Sequence, residues 1–420
     1  MVEISPMIDY KLILSDKQYV KRELEKKGYD IEYIDALYTL LTEIRRQKTR
    51  LNELNHQRNC SSTDDSFTAD EKRRLRKFII NTQKDLKALE NHTNRHLLDV
   101  PNFPDPQAPI GLNAHCNVIL YESDNHYICQ TANPLPHWDI AESLGIMDTQ
   151  AASKISGSGF SLLRGMGAKL LRALVNYGLS LNEPKYTEIL PPHLVSTEAL
   201  TFTGHLPKFA GEQYKCEKDD LWLIPTAEVP MTAAFAGETF SPGTLPKRYM
   251  GYTLAFRRES GASGRDTRGL QRIHEFHKVE LLKIVEPKDV QSELSSLLKD
   301  CESVIKNLGL KYRLVDLCTG EMGDKYARCY DIEVYSPGVK KWLEVSSVGH
   351  FSDYQARRAQ IKYVDVHGKK KFAYTMNGSG IATPRVWLSI IETYQQPDGS
   401  VRIPDVLIPF MGCDVISSEL

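Results

Sequence analysis

Residues 31–98 constrain the fold more than any other part of the chain. The segment contains neither glycine nor proline, and apolar side chains recur at intervals of three and four residues in two runs. Such spacing predicts a heptad seam between two helices. The polar stretch at 59–71, NCSSTDDSFTADE, predicts a reversal between them, and Thr68 followed by Glu71 predicts a capping box at the start of the second helix. The seam positions are Leu37, Leu41, Ile44, Lys48 and Leu51, then Leu75, Ile79, Thr82, Leu86 and Leu89.

These two runs predict an antiparallel coiled-coil arm that reaches about 40 Å if each helix has about 28 residues. Basic side chains are frequent on it, and the run KRRLRK at 72–77 has no matching acids. A lone helical hairpin of this kind is more often a solvated face with ion pairs along each helix. The crowding of cations nevertheless favours an arm that binds phosphates, for which the candidates are Arg45, Arg46, Arg73, Arg74, Arg76 and Lys77.

A proline-rich stretch, VPNFPDPQAPIG at 100–111, predicts a domain boundary, because closely spaced prolines end a helix and stiffen a linker. We therefore expect an N-terminal domain over 1–104 and a second domain over 105–420. In the second domain, short β-rich runs alternate with helical stretches, and a tight turn at YSPGVKKW indicates antiparallel pairing. The prediction is an α+β fold with a mainly antiparallel sheet flanked by helices.

Composition excludes several classes of protein. The 420 residues carry a net charge of -1, so a nucleic-acid contact requires a local basic patch. The eight cysteines form no CxxC pair, which argues against a zinc ribbon. The first residues resemble neither a secretory signal nor a transit peptide, and no apolar run is long enough to span a membrane. We expect a cytoplasmic protein with no membrane partner and no DNA partner. P-loop, dinucleotide-binding, zincin and serine-hydrolase motifs are also missing from the sequence.

The segment AFRRESGASGRDTRGLQRIHEFHKVE, at 255–280, is the densest cluster of chemically active side chains. Five arginines alternate with carboxylates, and the glycines at 261, 264 and 269 predict a loop between two strands. Guanidinium groups bind phosphate oxygens in pairs, and glycines permit close approach, so the pattern favours a polyphosphate site. An exposed hairpin with surface ion pairs is the alternative.

Three other islands carry candidate residues. IPTAEVP at 224–230 places Glu228 in a predicted loop of small residues. LEVSS at 343–347 is expected to put Glu344 and Ser346 on one face, with Ser347 beside them, as a site for Mg²⁺ or phosphate. TMNGSGIATPR at 375–385 predicts a glycine turn that leads into a helix carrying Arg385.

Taken together, these islands resemble the three motifs of class II aminoacyl-tRNA synthetases in their usual order. KYTEILPPHLV at 185–195 is similar to motif 1, FRRE through RIHEF at 256–276 to motif 2, and GSGIATPR at 378–385 to motif 3. The chain as a whole resembles seryl-tRNA synthetases, on markers that include TGHLPKF at 203–209, LCTGEMG at 317–323 and DYQARR at 353–358.

The resemblance implies the reaction and its participants. L-serine would be activated with ATP to seryl-adenylate and transferred to tRNA(Ser), with tRNA(Sec) left open as a second acceptor, by a homodimer that uses Mg²⁺. The arm would bind the tRNA. Serine would be held by Thr226, Ala227, Glu228, Arg257, Glu280 and Ser379. Arg257, Glu259 and Arg385 would be catalytic, and Glu344 and Ser347 would ligate Mg²⁺. The ATP site would comprise Arg257, Arg258, Glu259, Ile273, His274, Glu275, Phe276, Glu344, Val345, Ser346, Ser347 and Arg385.

One departure leaves an alternative open. The family usually has Cys-Ser-Asn after its metal-site serine, whereas this chain has Val348-Gly349-His350. The alternative is a catalytically altered paralogue that loads a carrier protein or only binds and regulates. The arm argues against a carrier-protein ligase, and the set of Arg257, Glu259, Glu344 and Arg385 argues against a non-catalytic binder. His350 itself is expected to be a surface or hydrogen-bonded histidine.

Overall fold

The computed structural model describes residues 9–63, 67–259 and 268–418, and the chain divides into two compact units between Pro104 and Asp105. The first unit is helical. Its small core packs Ile13, Leu24, Ile34 and Leu37 against Leu97, all of them almost completely buried. Its helices are α1 (Tyr10–Ser15), α2 (Lys17–Glu25), α3 (Glu32–Thr63) and α4 (Ala69–Leu97).

Helices α3 and α4 form the predicted arm. The capping box at its second helix is confirmed: the Thr68 hydroxyl accepts from the Glu71 amide, and the Glu71 carboxylate accepts from the Thr68 amide. The lysine in the seam is accommodated because Lys48 forms an ion pair with Glu90 of the opposite helix at 2.7 Å. The seam therefore tolerates a charge where the partner helix supplies the counter-ion.

The predicted reversal at 59–71 was too long. Helix α3 continues to Thr63, so the first five residues of that stretch are helical. No glycine or proline interrupts them, and the Ser61 hydroxyl donates to the Arg58 carbonyl within the same turn. Relative to alanine, each small polar residue destabilises a helix by only about 0.5 kcal/mol. That cost is too small to end a long helix. The tip residues 64–66 lie outside the described residues.

The second unit is built on an eight-stranded sheet in the order β1-β8-β9-β10-β13-β7-β6-β2. Neighbouring strands are antiparallel except for β2 and β6, which are parallel. The α+β prediction is confirmed. The strands are β1 (Val118–Glu122), β2 (Thr187–Glu188), β6 (Lys247–Phe256), β7 (Glu275–Val285), β8 (Tyr312–Asp316), β9 (Arg328–Ser336), β10 (Lys341–His350) and β13 (Tyr374–Ala382).

Smaller sheets and nine helices surround this sheet in the described part of the chain. The short strands are β3 (Leu194–Ser196), β4 (Leu221–Leu223), β5 (Thr239–Phe240), β11 (Lys362–Val364), β12 (Lys370–Phe372), β14 (Val401–Arg402) and β15 (Val415–Ile416). The helices are α5 (His137–Ser143), α6 (Thr149–Ser156), α7 (Gly165–Asn182), α8 (Thr197–Phe202), α9 (Glu228–Ala233), α10 (Val290–Asn307), α11 (Tyr354–Ala359), α12 (Thr383–Thr393) and α13 (Ile408–Met411). Among the described residues no helix is both long and apolar enough to cross a membrane.

The segment predicted as a glycine turn, 375–385, is instead the central strand β13 followed directly by α12. Its glycines allow neighbouring elements to pack closely against the strand. A Cβ on Gly378 would lie 2.7 Å from the Cys301 sulfur of α10, and one on Gly380 would lie 3.2 Å from a Val279 methyl of β7. The helix that carries Arg385 was predicted correctly.

A buried ion-pair network fixes α10 against the sheet. The Lys283 side chain on β7 is fully buried, and its ammonium donates to the Glu293 carboxylate at 2.9 Å and to the Glu293 carbonyl at 3.0 Å. Arg248 on β6 binds both oxygens of the same carboxylate. Burial lowers the pKa of Lys283, because the charged form loses its hydration. Glu293 is therefore the counter-ion that makes this position tolerable.

We predict that Glu293→Ala destabilises the second unit by about 3–5 kcal/mol, because a buried ammonium loses its partner. Urea unfolding followed by tryptophan fluorescence measures the effect, since all four tryptophans lie after residue 104. The matched control is Asp405→Ala, which breaks an exposed pair with Arg402 and should cost less than about 1 kcal/mol. Equal losses in the two variants would contradict the assignment.

Candidate active site

A cleft of about 340 Å³ opens over the middle of the large sheet, lined by β7, β10, β13, the start of α12 and Arg257, which directly follows β6. Most of the predicted site residues meet there, although they come from segments more than 150 residues apart in the chain. The predicted residues on its walls are Thr226, Glu228, Arg257, Glu259, Ile273, Phe276, Glu280, Glu344, Val345, Ser347, Ser379 and Arg385.

Five predicted residues lie elsewhere. Ala227 is fully buried behind the cleft. The Arg258 guanidinium lies 5.7 Å from the Tyr214 ring, and His274 Nδ1 is 3.0 Å from the Arg257 carbonyl oxygen. Glu275 lines a neighbouring, more apolar pocket. Ser346 is buried and donates its hydroxyl to the Ser379 carbonyl. Residues 260–267 of the arginine-rich segment, among them Arg265 and Asp266, lie outside the described residues.

One end of the cleft, here called the carboxylate end, is defined by Thr226, Glu228, Glu280 and Asn377. The Thr226 hydroxyl donates to Glu280 Oε2 at 2.6 Å, and the Asn377 amide donates to Glu280 Oε1 at 3.1 Å. Lys278 pairs with Glu280 and also lies 3.2 Å from the Thr226 hydroxyl. Asn377 Oδ1 is buried and has no hydrogen-bond partner among the described residues. This end therefore keeps acceptors for a small donor-rich ligand.

Glu228 was predicted in a loop, but it is the first residue of α9 and is buried. Three side chains hold its carboxylate. Lys325 donates to both oxygens at 2.7 Å, Gln355 donates to Oε1 at 2.7 Å, and Asn377 donates to Oε2 at 2.8 Å. Burial alone would favour the neutral acid, yet the Lys325 charge and the hydrogen bonds from Lys325 and Gln355 contribute to a combined effect that outweighs burial and lowers the pKa of Glu228. The carboxylate is therefore ionised at neutral pH.

The opposite end, here called the arginine end, is defined by Arg257, Glu344 and Arg385. The Arg257 guanidinium lies 5.2 Å from the Phe276 ring. Arg385 donates to the Glu344 carbonyl at 2.7 Å and to the Gln271 carbonyl at 3.2 Å. Near it, Glu259 has a φ of +49° and pairs with Arg272 at 3.2 Å. Two preoriented guanidinium groups beside an aromatic ring suit a nucleotide with its phosphates.

The expected face of the LEVSS segment was wrong. Strand β10 has a bulge between Glu344 and Ser346, which inserts one residue and reverses the alternation of side chains beyond it. As a result Ser347, not Ser346, lies beside Glu344, and its hydroxyl donates to Glu344 Oε1 at 3.1 Å. The bulge therefore turns Ser346 toward β13 and brings Ser347 into the cleft.

The residues around this bulge fit a hard divalent cation. Asp331 on β9 lies opposite Ser347 in the ladder, and its Oδ1 is buried without a hydrogen-bond partner among the described residues. Burial, and then the charge of Glu344, raise the pKa of Asp331. Mg²⁺ is usually held by one or two carboxylates together with substrate phosphates. Among the described residues no group of three or more histidines, cysteines and carboxylates forms a complete metal site.

Sequence reasoning missed several residues on the walls of the cleft. Lys278 had a signal, because it is two residues from Glu280 on a strand and so shares its face. Asn377 and His205 lie in the segments TMNGSGIATPR and TGHLPKF, but sequence reasoning assigned neither residue a role. Lys325 and Tyr326 had no signal, since only the fold brings their segment to Glu228.

Residues 348–350, where this chain differs from the usual family sequence, do not line the cleft. Val348 lies in the hydrophobic core. A Cβ on Gly349 would lie 2.6 Å from Tyr326 Cδ1. His350 is buried rather than at the surface, with Nε2 3.4 Å from Asp105 Oδ2. None of the three lines the cleft.

Comparisons with known proteins agree with this geometry. Residues 213–394 match the tRNA synthetase class II core domain (G, H, P, S and T), and residues 7–104 match the seryl-tRNA synthetase N-terminal domain. The serine--tRNA ligases of Thermodesulfovibrio yellowstonii and Thermotoga neapolitana are each 42% identical, over 98% of this chain and 100% of their own length.

Solved structures give the same result. Seryl-tRNA synthetase from Pyrococcus horikoshii, complexed with ATP, superposes with a TM-score of 0.91 at 31% identity, over 98% of this chain and 99% of that one. The cytoplasmic serine-tRNA ligase of Naegleria fowleri, in complex with AMP, gives 0.87 at 27% identity, over 99% of each chain. The chain therefore belongs to the seryl-tRNA synthetase family of class II aminoacyl-tRNA synthetases.

Proposed function

We propose that the cleft activates L-serine with ATP and that the enzyme transfers the seryl group to tRNA(Ser). The observation that carries the proposal is the pairing of two chemically different ends in one cleft. The carboxylate end offers Glu280 and Asn377 as acceptors, which suit an ammonium and a hydroxyl. The arginine end offers Arg257 and Arg385 to phosphate oxygens. A non-catalytic binder has no use for both.

The reaction needs no covalent enzyme intermediate. The serine carboxylate attacks the α-phosphorus of ATP, and pyrophosphate leaves in line with it. Arg257, whose Nε donates to the Pro225 carbonyl next to Thr226 at 3.4 Å, would neutralise charge on the attacking carboxylate and on the α-phosphate. Arg385 neutralises the departing phosphates, while Phe276 and Glu259 hold the adenine ring. Because Glu344 and Gln271 already fix Arg385, little reorganisation accompanies the reaction.

Mg²⁺ belongs to the same proposal, with Glu344 and Ser347 as its protein ligands and Asp331 beside them. When bound, it would neutralise phosphate charge and fix the geometry of the polyphosphate. The exposed fraction of the Glu344 side chain is 47%, so the carboxylate is accessible from the cleft.

We propose that basic side chains of the arm bind the phosphate backbone of tRNA. Arg45, Arg73, Arg74, Arg76 and Lys77 are all exposed on α3 and α4, as is Arg46, which pairs with Glu43. Contacts of this kind recognise shape and phosphates rather than bases. A homodimer in the cytoplasm completes the proposal. The dimer is supported by the segment that resembles motif 1, because the apolar side chain of Leu190 there is 75% exposed and a partner subunit would cover it.

The first test is amino-acid-dependent ATP–pyrophosphate exchange with serine, threonine, alanine, glycine and cysteine in parallel. We expect exchange with serine alone, and Arg257→Ala should lower its kcat by about 10²–10³ because a transition-state charge contact is lost. Arg402→Ala, at an exposed ion pair outside the cleft, is the control. A folded protein that shows no exchange with any of these amino acids would support the non-catalytic alternative.

A second test separates the adjacent serines of β10. Ser347→Ala should raise the Mg²⁺ concentration for half-maximal exchange by about 10-fold, since a cation ligand is removed. Ser346→Ala is the matched control: its hydroxyl bonds the Ser379 carbonyl, so it should change the KM for serine and leave the Mg²⁺ dependence unchanged. Identical Mg²⁺ shifts in both variants would overturn the assignment.

A third test concerns the arm. Arg73→Ala with Arg76→Ala should raise the KM for tRNA about 30-fold, at roughly 1 kcal/mol for each of the two lost phosphate contacts, and make it less salt-dependent. Serine-dependent exchange should not change. The control, Lys299→Ala with Lys306→Ala, removes the same charge from exposed positions of α10. Both tRNA(Ser) and tRNA(Sec) are assayed. An unchanged KM for both tRNAs would refute the proposed role of the arm.

A further inference from the structure

The cleft contains an ion pair, between Lys325 and Glu228, that has no role in the proposed reaction. The Lys325 side chain is 18% exposed and that of Glu228 is 2% exposed. The ammonium bonds both carboxylate oxygens at the same distance, 2.7 Å. An ammonium that bonds both oxygens of a carboxylate with only 2% exposure is screened by water much less than a surface pair, so this lysine is a fixed part of the cleft wall.

Glu228 has no remaining capacity to bind a substrate ammonium. A carboxylate has about four acceptor positions. In Glu228 each oxygen accepts from Lys325, Oε1 also accepts from Gln355, and Oε2 also accepts from Asn377. A substrate cation could therefore reach Glu228 only by displacing the lysine. Glu280 and Asn377 Oδ1 are the acceptors that this end leaves to serine.

The charges at this end already balance without a substrate. Glu228 pairs with Lys325, and Glu280 pairs with Lys278. His205 adds no charge, because burial and then the Lys325 ammonium lower its pKa to about 3. One substrate ammonium can be held by Glu280, but a second cation that approached Glu228 would meet Lys325, with no further carboxylate at this end to receive it.

The packing around Lys325 depends on the departure at 348–350. The neighbouring Tyr326 ring lies 4.8 Å from the Phe351 ring, and the Lys325 ammonium lies 5.3 Å from that same ring. A Cβ at position 349 would come within 2.6 Å of Tyr326. The glycine therefore makes room both for the Arg328 carbonyl, 2.4 Å from such a Cβ, and for the tyrosine next to Lys325.

We propose that Lys325 is a specificity-determining residue that excludes amino acids with a cationic side chain of serine's size. The proposal rests on serine activation as the function of the cleft. The diagnostic ligand is L-2,3-diaminopropionate, which matches serine except that an ammonium replaces the hydroxyl. In the wild-type protein its second ammonium is repelled by Lys325. Without the lysine, Glu228 becomes its counter-ion.

The experiment compares kcat/KM for pyrophosphate exchange with serine and with diaminopropionate, at a pH where both amino groups of the analogue are charged. In Lys325→Met the ratio of diaminopropionate to serine should rise at least about 10-fold, the factor that one carboxylate–ammonium contact of about 1.4 kcal/mol supplies. Lys208→Met, which removes a lysine paired with the adjacent Asp324, is the matched control and should leave the ratio unchanged.

A double variant tests the role of Glu228. In Lys325→Met with Glu228→Gln, the ratio should return to the wild-type value because no carboxylate receives the second ammonium. If Lys325→Met does not fold, Lys325→Gln keeps a donor for Glu228 without the charge and should show the same rise. A ratio that stays at the wild-type value in the lysine variant, or stays high in the double variant, overturns the proposal. A wild-type protein without serine exchange refutes the proposed function instead.

Discussion

The register of the four central strands is the constraint on which the site depends. In the ladder between β7 and β13, Glu280 lies opposite Ser379, and in the ladder between β6 and β7, Glu280 lies opposite Gly251. Because side chains alternate along a strand, a slip of one residue would turn Glu280 out of the cleft. Bulges in β10 and β13 adjust this pattern locally, and the first of them decides that Ser347 rather than Ser346 accompanies Glu344. The chemistry is thus set by backbone pairing before any ligand binds.

A second constraint is that the buried carboxylates of Glu228, Glu280 and Glu293 each have a basic partner. Glu392 illustrates how such a partner also positions the site. It is fully buried, and it lies 2.8 Å from His137 Nδ1, while His137 Nε2 accepts from the Leu270 amide. With Nε2 as the acceptor of the Leu270 amide, Nδ1 is the atom that faces Glu392, so the imidazole bridges α12 to Leu270 within the arginine-rich segment. Gly269 has a φ of +69°, and a Cβ there would lie 2.0 Å from His137.

The sequence predicted the elements whose signals are local. The capping box at Thr68 and Glu71, the hairpin of β9 and β10, and the helix carrying Arg385 each depend on a few adjacent residues. The errors arose where tertiary packing overrides local preference. Gly378 reads as a turn former, but in the fold it admits the sulfur of Cys301 next to the sheet. Likewise, Glu228 lies in a small-residue stretch after Pro225, yet it is the first residue of a helix. Lys325, Gln355 and Asn377 hold its carboxylate there.

Contacts between distant segments are also why the altered tripeptide could not be interpreted from sequence. Beside Glu344 and Ser347, the residues 348–350 read as a change in the metal site. The alternation of β10 sends Val348 into the core and His350 toward Asp105, so neither reaches the cleft. Gly349 lies against Tyr326, which comes from the segment that supplies Lys325 to Glu228. The contacts of Gly349 therefore lead through Tyr326 toward the carboxylate end of the cleft, not toward Glu344 and Ser347.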